Sequence, residues 1–440
     1  MNFVEKIDHL IESVDNLDLM RIYGKVIQVV GLLIESRGPS TAVGEVCFVH
    51  PRHADEPYLT EVVGFRDDRV LSMPLGEMRG IAPGSDVVAT GEQFSIFPCE
   101  EMLGRVLNGL GEPMDGLGTL PQKERLSVFQ APPNPLERQR IAEPVSTGIR
   151  AIDGLLTLGK GQRVGIFAGS GVGKSTLLGM IAKNTSADVN VISLVGERGR
   201  EVRDFIEKEL GEEGLQRSVL VVATSDQPAL VRVKSALVAT TIAEFFRNQG
   251  KDVMLMMDSL TRVAMALREI GLTIGEPPTT RGYTPSVFAF FPQLLERAGT
   301  AARGSITGLY TVLVEGDDMN EPIADSSRAI LDGHIVLSRR LASAGHYPAI
   351  DVLESVSRVL NDVTAPEHRQ AVTQFLDTLA TYKEAEDLIN IGAYVKGSNP
   401  KVDNSIKKIG LINDFLRQGI NEKSTLDSSI QKLMEIVGRK

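Results

Sequence analysis

Ala168-Gly169-Ser170-Gly171-Val172-Gly173-Lys174-Ser175-Thr176 is the stretch whose reading decides the fold. Just upstream, Arg163-Val164-Gly165-Ile166-Phe167 has the composition of a short buried strand. Just downstream, Leu177, Leu178 and Ile181 recur at helical spacing. A strand, a glycine loop and a helix in that order form a phosphate cradle, because the first N–H groups of a helix have no intrahelical partner and can face an anion. Gly169, Gly171 and Gly173 let the backbone turn these groups onto phosphate oxygens where side chains would obstruct. Lys174 adds a mobile positive charge for the β and γ phosphates, and Ser175 offers a hydroxyl to Mg²⁺. Ser170, Val172 and Thr176 complete the candidate nucleotide-binding set. The first position of the G-x-x-x-x-G-K-[ST] pattern is Ala168, which needs only modest backbone tolerance there. The stretch predicts a nucleotide site.

The 440 residues can bury a large core and divide into two or three domains. A net charge of −10 and sparse aromatics, with no tryptophan, argue against nucleic acid as the main partner. Two cysteines, Cys47 and Cys99, make neither a disulfide framework nor a metal cage and fit a reducing cytosol. The six histidines show no ligand spacing. Glu5, Lys6, Asp8 and Glu12 among the first apolar residues exclude a signal peptide, and no apolar run approaches a membrane span, so any membrane contact is expected to be peripheral.

Working outward toward the N-terminus, residues 1–19 place Phe3, Ile7, Leu10, Ile11, Val14 and Leu17 on one helical face. Such a helix either packs on its own domain or docks on a partner. From 20 to 93 the runs Lys25 to Ile34, Gly44 to His50, Leu59 to Phe65, Arg69 to Met73 and Asp86 to Thr90 are β-rich and separated by turn clusters. This spacing predicts a small β-barrel. Residues 94–363 alternate apolar strands with helices, which predicts a mainly parallel sheet covered on both faces. Helices are expected over Ser175 to Lys183, Glu201 to Leu210, Ala229 to Asn248 and Pro292 to Ala301. From 364 to 440 the chain reads as a helical domain, interrupted at Gly397-Ser398-Asn399-Pro400 and at Gly419. The expected class is therefore α/β, with an N-terminal β-barrel, a central phosphate-loop domain and a C-terminal helical domain.

Two carboxylates stand where chemistry would need them. Val253-Met254-Leu255-Met256-Met257-Asp258 is an apolar strand ending in an acid, and in a phosphate-loop fold such an Asp orients Mg²⁺ or its waters. Glu197 follows the strand Val191 to Val195 and is a candidate to polarise an attacking water. A charged turn, with Glu197, Arg198, Arg200 and Glu201 in surface ion pairs, accounts for the same spacing. Arg262 follows Asp258 within a turn, and Arg358 lies far along the chain. Either arginine could stabilise phosphoryl charge with its planar fork. Tyr347, before Pro348, either stacks on a base or packs a turn.

These motifs together resemble the catalytic subunits of the rotary ATPase superfamily, most closely the type III protein-export ATPases. The resemblance runs from about Tyr23 to Asp403. It is carried by LGRVLNGLGEPMDG (103–116), PPNPLERQRI (132–141), AGSGVGKST (168–176), VGERGREV (195–202), MMDSLTR (256–262), GYTPSVFAFFPQLLERAG (282–299), EGDDMNEPIADSSRAILDGHIVLSRRLA (315–342) and GHYPAIDVLESVSRV (345–359). The opening IYGKVIQVVGLLIESRGP (22–39) is more similar to the flagellar branch than to the virulence injectisome branch. The resemblance implies ATP as substrate and Mg²⁺ as cofactor. It assigns Glu197 as the catalytic glutamate with Arg198 beside it, Asp258 as the metal-side acid and Arg262 as a phosphate-side arginine. Tyr347 would stack on adenine, and Arg358 would be a finger reaching the neighbouring subunit's site. With Glu197 and Arg358 on one chain, the resemblance implies a homohexamer. It further implies a dimeric peripheral-stalk-like regulator on residues 1–19, a central stalk subunit at the helical C-terminus, and an export gate, substrates and chaperones. Its expected place is the cytoplasm, held peripherally at the inner face of the membrane. The competing readings are the head of an ion-translocating ATPase, a hexameric RNA translocase and a nucleotide-holding assembly subunit.

Overall fold

The computed structural model describes residues 23–51, 56–314, 316 and 318–438. The amphipathic segment 1–19 lies outside them. The described residues form two compact units, divided between Phe94 and Ser95.

In the first unit six antiparallel strands close a barrel: β1 (Tyr23–Val30), β2 (Leu33–Arg37), β3 (Glu45–His50), β4 (Tyr58–Arg66), β5 (Arg69–Pro74) and β6 (Asp86–Gln93), in the order β1-β2-β5-β4-β3-β6. Pairing of Tyr23 with Val88 closes the ring and leaves no open edge. Val26, Ile34, Cys47, Val49, Val62, Val70 and Val87 fill the interior. The β-rich run from Lys25 to Ile34 is a hairpin. Gly31 turns it with φ +60°, a conformation that costs glycine little.

The second unit is built on a sheet whose strands read as nearly unbroken apolar runs because both faces are covered. Its members are β7 (Val106–Asn108), β8 (Arg163–Ala168), β9 (Val189–Glu197), β10 (Ser218–Thr224), β11 (Asp252–Asp258), β12 (Ser305–Leu313), β13 (Gly333–Leu337) and β14 (Ile350–Ser357). They lie in the order β14-β13-β8-β12-β11-β9-β10-β7, and all neighbours are parallel except β13 and β14. Side chains alternate between faces. Ile192 and Leu194 of β9 share a core with Leu177, Leu178 and Ile181 of the helix after the glycine loop. Ser193, between them, donates to the Ser235 carbonyl of the helix Ala229–Asn248 on the other face.

Two expected helices differ. The span Glu201 to Leu210 is an α-helix over Gly199–Asp204 that widens into a π-helical turn over Phe205–Leu210. The helix expected from Pro292 runs instead over Pro285–Leu295. Pro285 sits in its first turn, where a missing N–H costs nothing, and residues Gly299–Thr300 beyond it form a short strand on β12. At the C-terminus three helices pack together, Pro366–Asn390, Pro400–Leu416 and Leu426–Val437. Their starts carry ordinary signals: proline in the first turn of the first two, and a Thr425/Ser428 capping box on the third. Phe375 and Phe415 join the first two helices with ring centroids 5.4 Å apart. No helix among the described residues is long and apolar enough to cross a membrane.

Candidate active site

β8 ends at Ala168, at the C-terminal end of the parallel strands, and the helix Lys174–Asn184 begins six residues further on. Gly173 caps that helix at φ +88°, where a side chain would be strained, and the Tyr347 ring stands 3.4 Å from where a Cβ would be, an ordinary van der Waals contact. Tyr347 is half-exposed and lies beside the loop, where a planar base could stack on it.

Three strands of the sheet bring the charged groups together. Lys174 Nζ is hydrogen-bonded to the Asp258 carboxylate at the end of β11 and lies 3.6 Å from Glu197 Oε1 at the end of β9. Asp258 is buried, and its Oδ1 also accepts the Thr311 hydroxyl of β12 at 2.7 Å. Burial works against the Lys174 charge, but Asp258 and Glu197 outweigh it and raise the ammonium's pKa. Burial also drives the Glu197 carboxyl up to about 7, with Lys174 opposing and the Asp258 and Glu201 charges adding to it. A carboxylate that titrates near neutrality at a phosphate cradle suits proton transfer.

Glu197 reaches this position through a bulge. The β9–β10 register slips between Val195 and Glu197, and Gly196 sits there at φ +67°. An extra residue of this kind re-aims the side chain that follows it. Arg262 packs against Gly196, 3.2 Å from where a Cβ would stand, and its Nε is buried with no hydrogen-bond partner among the described residues. Arg198 points away: it is exposed and pairs with Glu201 at 3.6 Å.

Thr311 and Gly196 were not among the residues singled out from sequence. Thr311 had a readable signal, being a hydroxyl in the middle of the apolar run Leu309 to Val314. Thr176, expected on phosphate, donates its hydroxyl to Glu209 Oε1 of the π-helical turn at 2.9 Å.

Arg358 is the one expected site residue that the fold holds apart. Leu337 pairs with Ala168 at the loop end of the sheet, whereas Gly333 pairs with Ser357 at the other end. Arg358 therefore emerges where β8 begins, its N–H on the Asp332 carbonyl at 3.0 Å and its guanidinium on the Arg328 carbonyl at 3.2 Å. The length of β8, about 16 Å at the usual strand rise, separates it from the chain's own loop.

Comparison with known proteins bears on the same residues. Residues 148–357 match the model of the ATP synthase alpha/beta family nucleotide-binding domain, residues 26–91 that family's beta-barrel domain, and residues 364–435 the T3SS EscN ATPase C-terminal domain. The "Flagellum-specific ATP synthase" of Bacillus subtilis (strain 168) is 54% identical over 98% of this chain and 99% of that protein. This chain belongs to the ATP synthase alpha/beta family. The "Type 3 secretion system ATPase" of Xanthomonas euvesicatoria is 49% identical, with 94% of each protein covered. The assembled EscN ATPase of the enteropathogenic E. coli type III secretion system superposes with a TM-score of 0.89 at 47% identity, covering 94% of this chain and all of EscN. EscN has also been solved with its central stalk EscO, and that chain superposes at a TM-score of 0.87. The chain is thus an ATPase of this family, with the barrel, parallel sheet and helical C-terminus that its sequence leads one to expect.

Proposed function

We propose that this ATPase hydrolyses ATP to drive a type III protein-export apparatus of the flagellar branch, and that it does so as a homohexameric ring. The observation that carries the reading is the split charge arrangement. Lys174, Glu197 and Asp258 converge at one end of the sheet, and Arg358 stands at the other. A second copy, seated head-to-tail, can bring its Arg358 to this copy's loop, and such a contact closes into a ring when it repeats by rotation.

In this reading the N–H groups of residues 169–176 and the Lys174 ammonium hold the phosphates, and Tyr347 stacks on adenine. The donors at the loop end suit a hard divalent cation: the Asp258 carboxylate, fixed by Thr311, and the exposed Ser175 hydroxyl are both oxygen ligands. Mg²⁺ held there would neutralise charge on the transferring phosphoryl group. Glu197 Oε takes a proton from water as the water oxygen bonds to the γ phosphorus. The bond to the bridging oxygen breaks, and ADP and phosphate leave. Arg262 steadies the phosphate side, and the neighbour's Arg358 meets the charge that develops on the transferring group, while Arg198, exposed and paired with Glu201, takes no part.

The remaining roles follow from the family likeness. Residues 1–19 bind a dimeric regulator that resembles a peripheral stalk. The C-terminal helices meet a central stalk subunit, as EscN meets EscO. Substrates, chaperones and an export gate are engaged at the cytoplasmic face of the membrane, with no membrane span contributed by the described residues. Export serving a virulence injectisome is the second reading, favoured by the close match to EscN. Deleting the gene tests both. Loss of flagellar filaments is expected, and intact filaments with loss of other secreted proteins would transfer the assignment to an injectisome.

A further inference from the structure

The helix Pro400–Leu416 ends against a residue from far upstream. The last carbonyls of a helix have no intrahelical donors and carry its negative end. Arg150, buried in the first turn of the helix Arg150–Leu155, supplies both the donors and the charge. Its Nε donates to the Phe415 carbonyl at 3.0 Å, and its Nη2 reaches the carbonyls of Asp414, at 3.4 Å, and Arg417. The same guanidinium pairs with Glu422.

Gln418, next along the chain, is 5% exposed and fully engaged. Its Oε1 accepts the Arg150 backbone N–H at 2.7 Å, and its Nε2 donates to the carbonyls of Gly148 and Glu422, each at 2.8 Å. These three bonds hold the side chain, and the Gln418 backbone N–H donates to the Tyr347 carbonyl at 3.0 Å. Tyr347 in turn lays its ring against Gly173 of the nucleotide loop. A continuous set of bonds therefore runs from the end of a C-terminal helix to the aromatic beside the loop. Lys174, Glu197 and Asp258 take no part in these bonds.

We propose that Gln418, locked by Arg150, is a positioning residue that sets the Tyr347 ring over the loop, so that movement of the C-terminal helices alters affinity for the nucleotide base. The inference rests on the reading of Tyr347 as the base-stacking residue. It assigns the coupling to the base side of the site and leaves the phosphate grip independent of it.

The test uses the full chain as wild type, Tyr347→Ala, Gln418→Ala and the double variant. Calorimetry reads affinity for ADP and for inorganic tripolyphosphate, which has no base, and steady-state assays read KM and kcat for ATP. Stacking of a base on an aromatic is strong enough that a displaced ring should weaken ADP binding and raise KM about fivefold. In Gln418→Ala, tripolyphosphate affinity and kcat at saturating ATP should stay within about twofold, since the phosphate groups are untouched. The double variant should bind ADP no worse than Tyr347→Ala alone, because the two act on one contact. Equal losses for ADP and tripolyphosphate, a fall in kcat, or multiplicative effects in the double variant would overturn the proposal and leave Gln418 a packing residue. Weakened ADP binding by Tyr347→Ala with Gln418→Ala silent would overturn the coupling alone, whereas a silent Tyr347→Ala overturns base stacking itself. Where Gln418→Ala does not fold, Arg150→Lys carries the test. It keeps the charge beside Glu422 but loses the fork on the helix carbonyls, and a smaller loss in the same base-selective pattern is expected.

Discussion

The two ends of the central sheet handle charge in opposite ways. At the loop end one buried ammonium, Lys174, is already engaged by two carboxylates, Asp258 and Glu197, where anionic phosphate is to bind. At the other end Arg163 is matched by Asp332 through bonds of 2.9 and 3.1 Å, and Arg358 beside them stays exposed on a backbone carbonyl. At the first end the lysine is already paired, and the second end presents a cation outward. An enzyme that must stabilise a polyanion gains by joining such ends between copies, and the strand length keeps a single copy from doing so alone.

The comparison breaks most visibly at Arg358. Arg358→Ala should lower ATP turnover about a thousandfold or more, the scale of a lost arginine finger, while leaving ADP affinity and the melting temperature nearly unchanged. Mixing that variant with Glu197→Gln should restore part of the rate at mixed interfaces. Properly assembled mixed rings with no recovery would falsify the shared-site arrangement. Glu197→Gln alone should cost about a hundredfold or more in turnover, as expected for loss of a general base, with nucleotide binding retained. A robust rate in that variant removes Glu197 from the mechanism.

The pH dependence sharpens the loop end. With the Glu197 pKa raised to about 7 from its ordinary 4.5, the native chain binds more protons than the unfolded chain between those values. Stability contributed by this group is therefore present below about pH 4.5 and is lost as pH rises through 7. Activity moves the other way: kcat/KM should climb to a plateau above pH 7, and the limb should vanish in Glu197→Gln. A limb unchanged in that variant assigns the titration to another group. Smaller still, Thr311→Val removes one hydroxyl from the Asp258 carboxylate and should cost about 1 kcal/mol in denaturant unfolding. Arg198→Ala breaks only an exposed pair and should leave unfolding within about 0.5 kcal/mol of wild type. A larger change there would mean that Arg198 is held by more than Glu201.

Much of this was legible because it is local. The glycines and lysine of 168–176 specify a loop within nine residues, and the barrel strands are cut by turns that name themselves. The strand-end acids Asp258 and Glu197 could be nominated from their own segments. What sequence could not show is that both reach Lys174, since β11 and β9 are separated from β8 by chain crossovers. The Gly196 bulge was hidden because a glycine before a charged run reads as an ordinary turn. The helix Leu260–Ile274 was not among the expected helices, although Leu260, Val263 and Ala264 on its buried face recur at helical spacing. β13 and β14 were not expected because His334, Asp351 and Ser355 interrupt their apolar pattern. Arg150 and Gln418 stand 268 positions apart, and no local pattern joins them.

The span of β8 has a consequence for genetics. The loop and Arg358 emerge at opposite ends of the sheet, so in the proposed ring a defect at either end should be felt at a different contact. A copy lacking Arg358 should keep its own cradle intact and silence the cradle of its neighbour. A copy lacking Glu197 should do the reverse. In a cell expressing both alleles, a protein crippled at both ends would poison two contacts for every copy incorporated, so its phenotype should deepen with gene dosage faster than either single lesion.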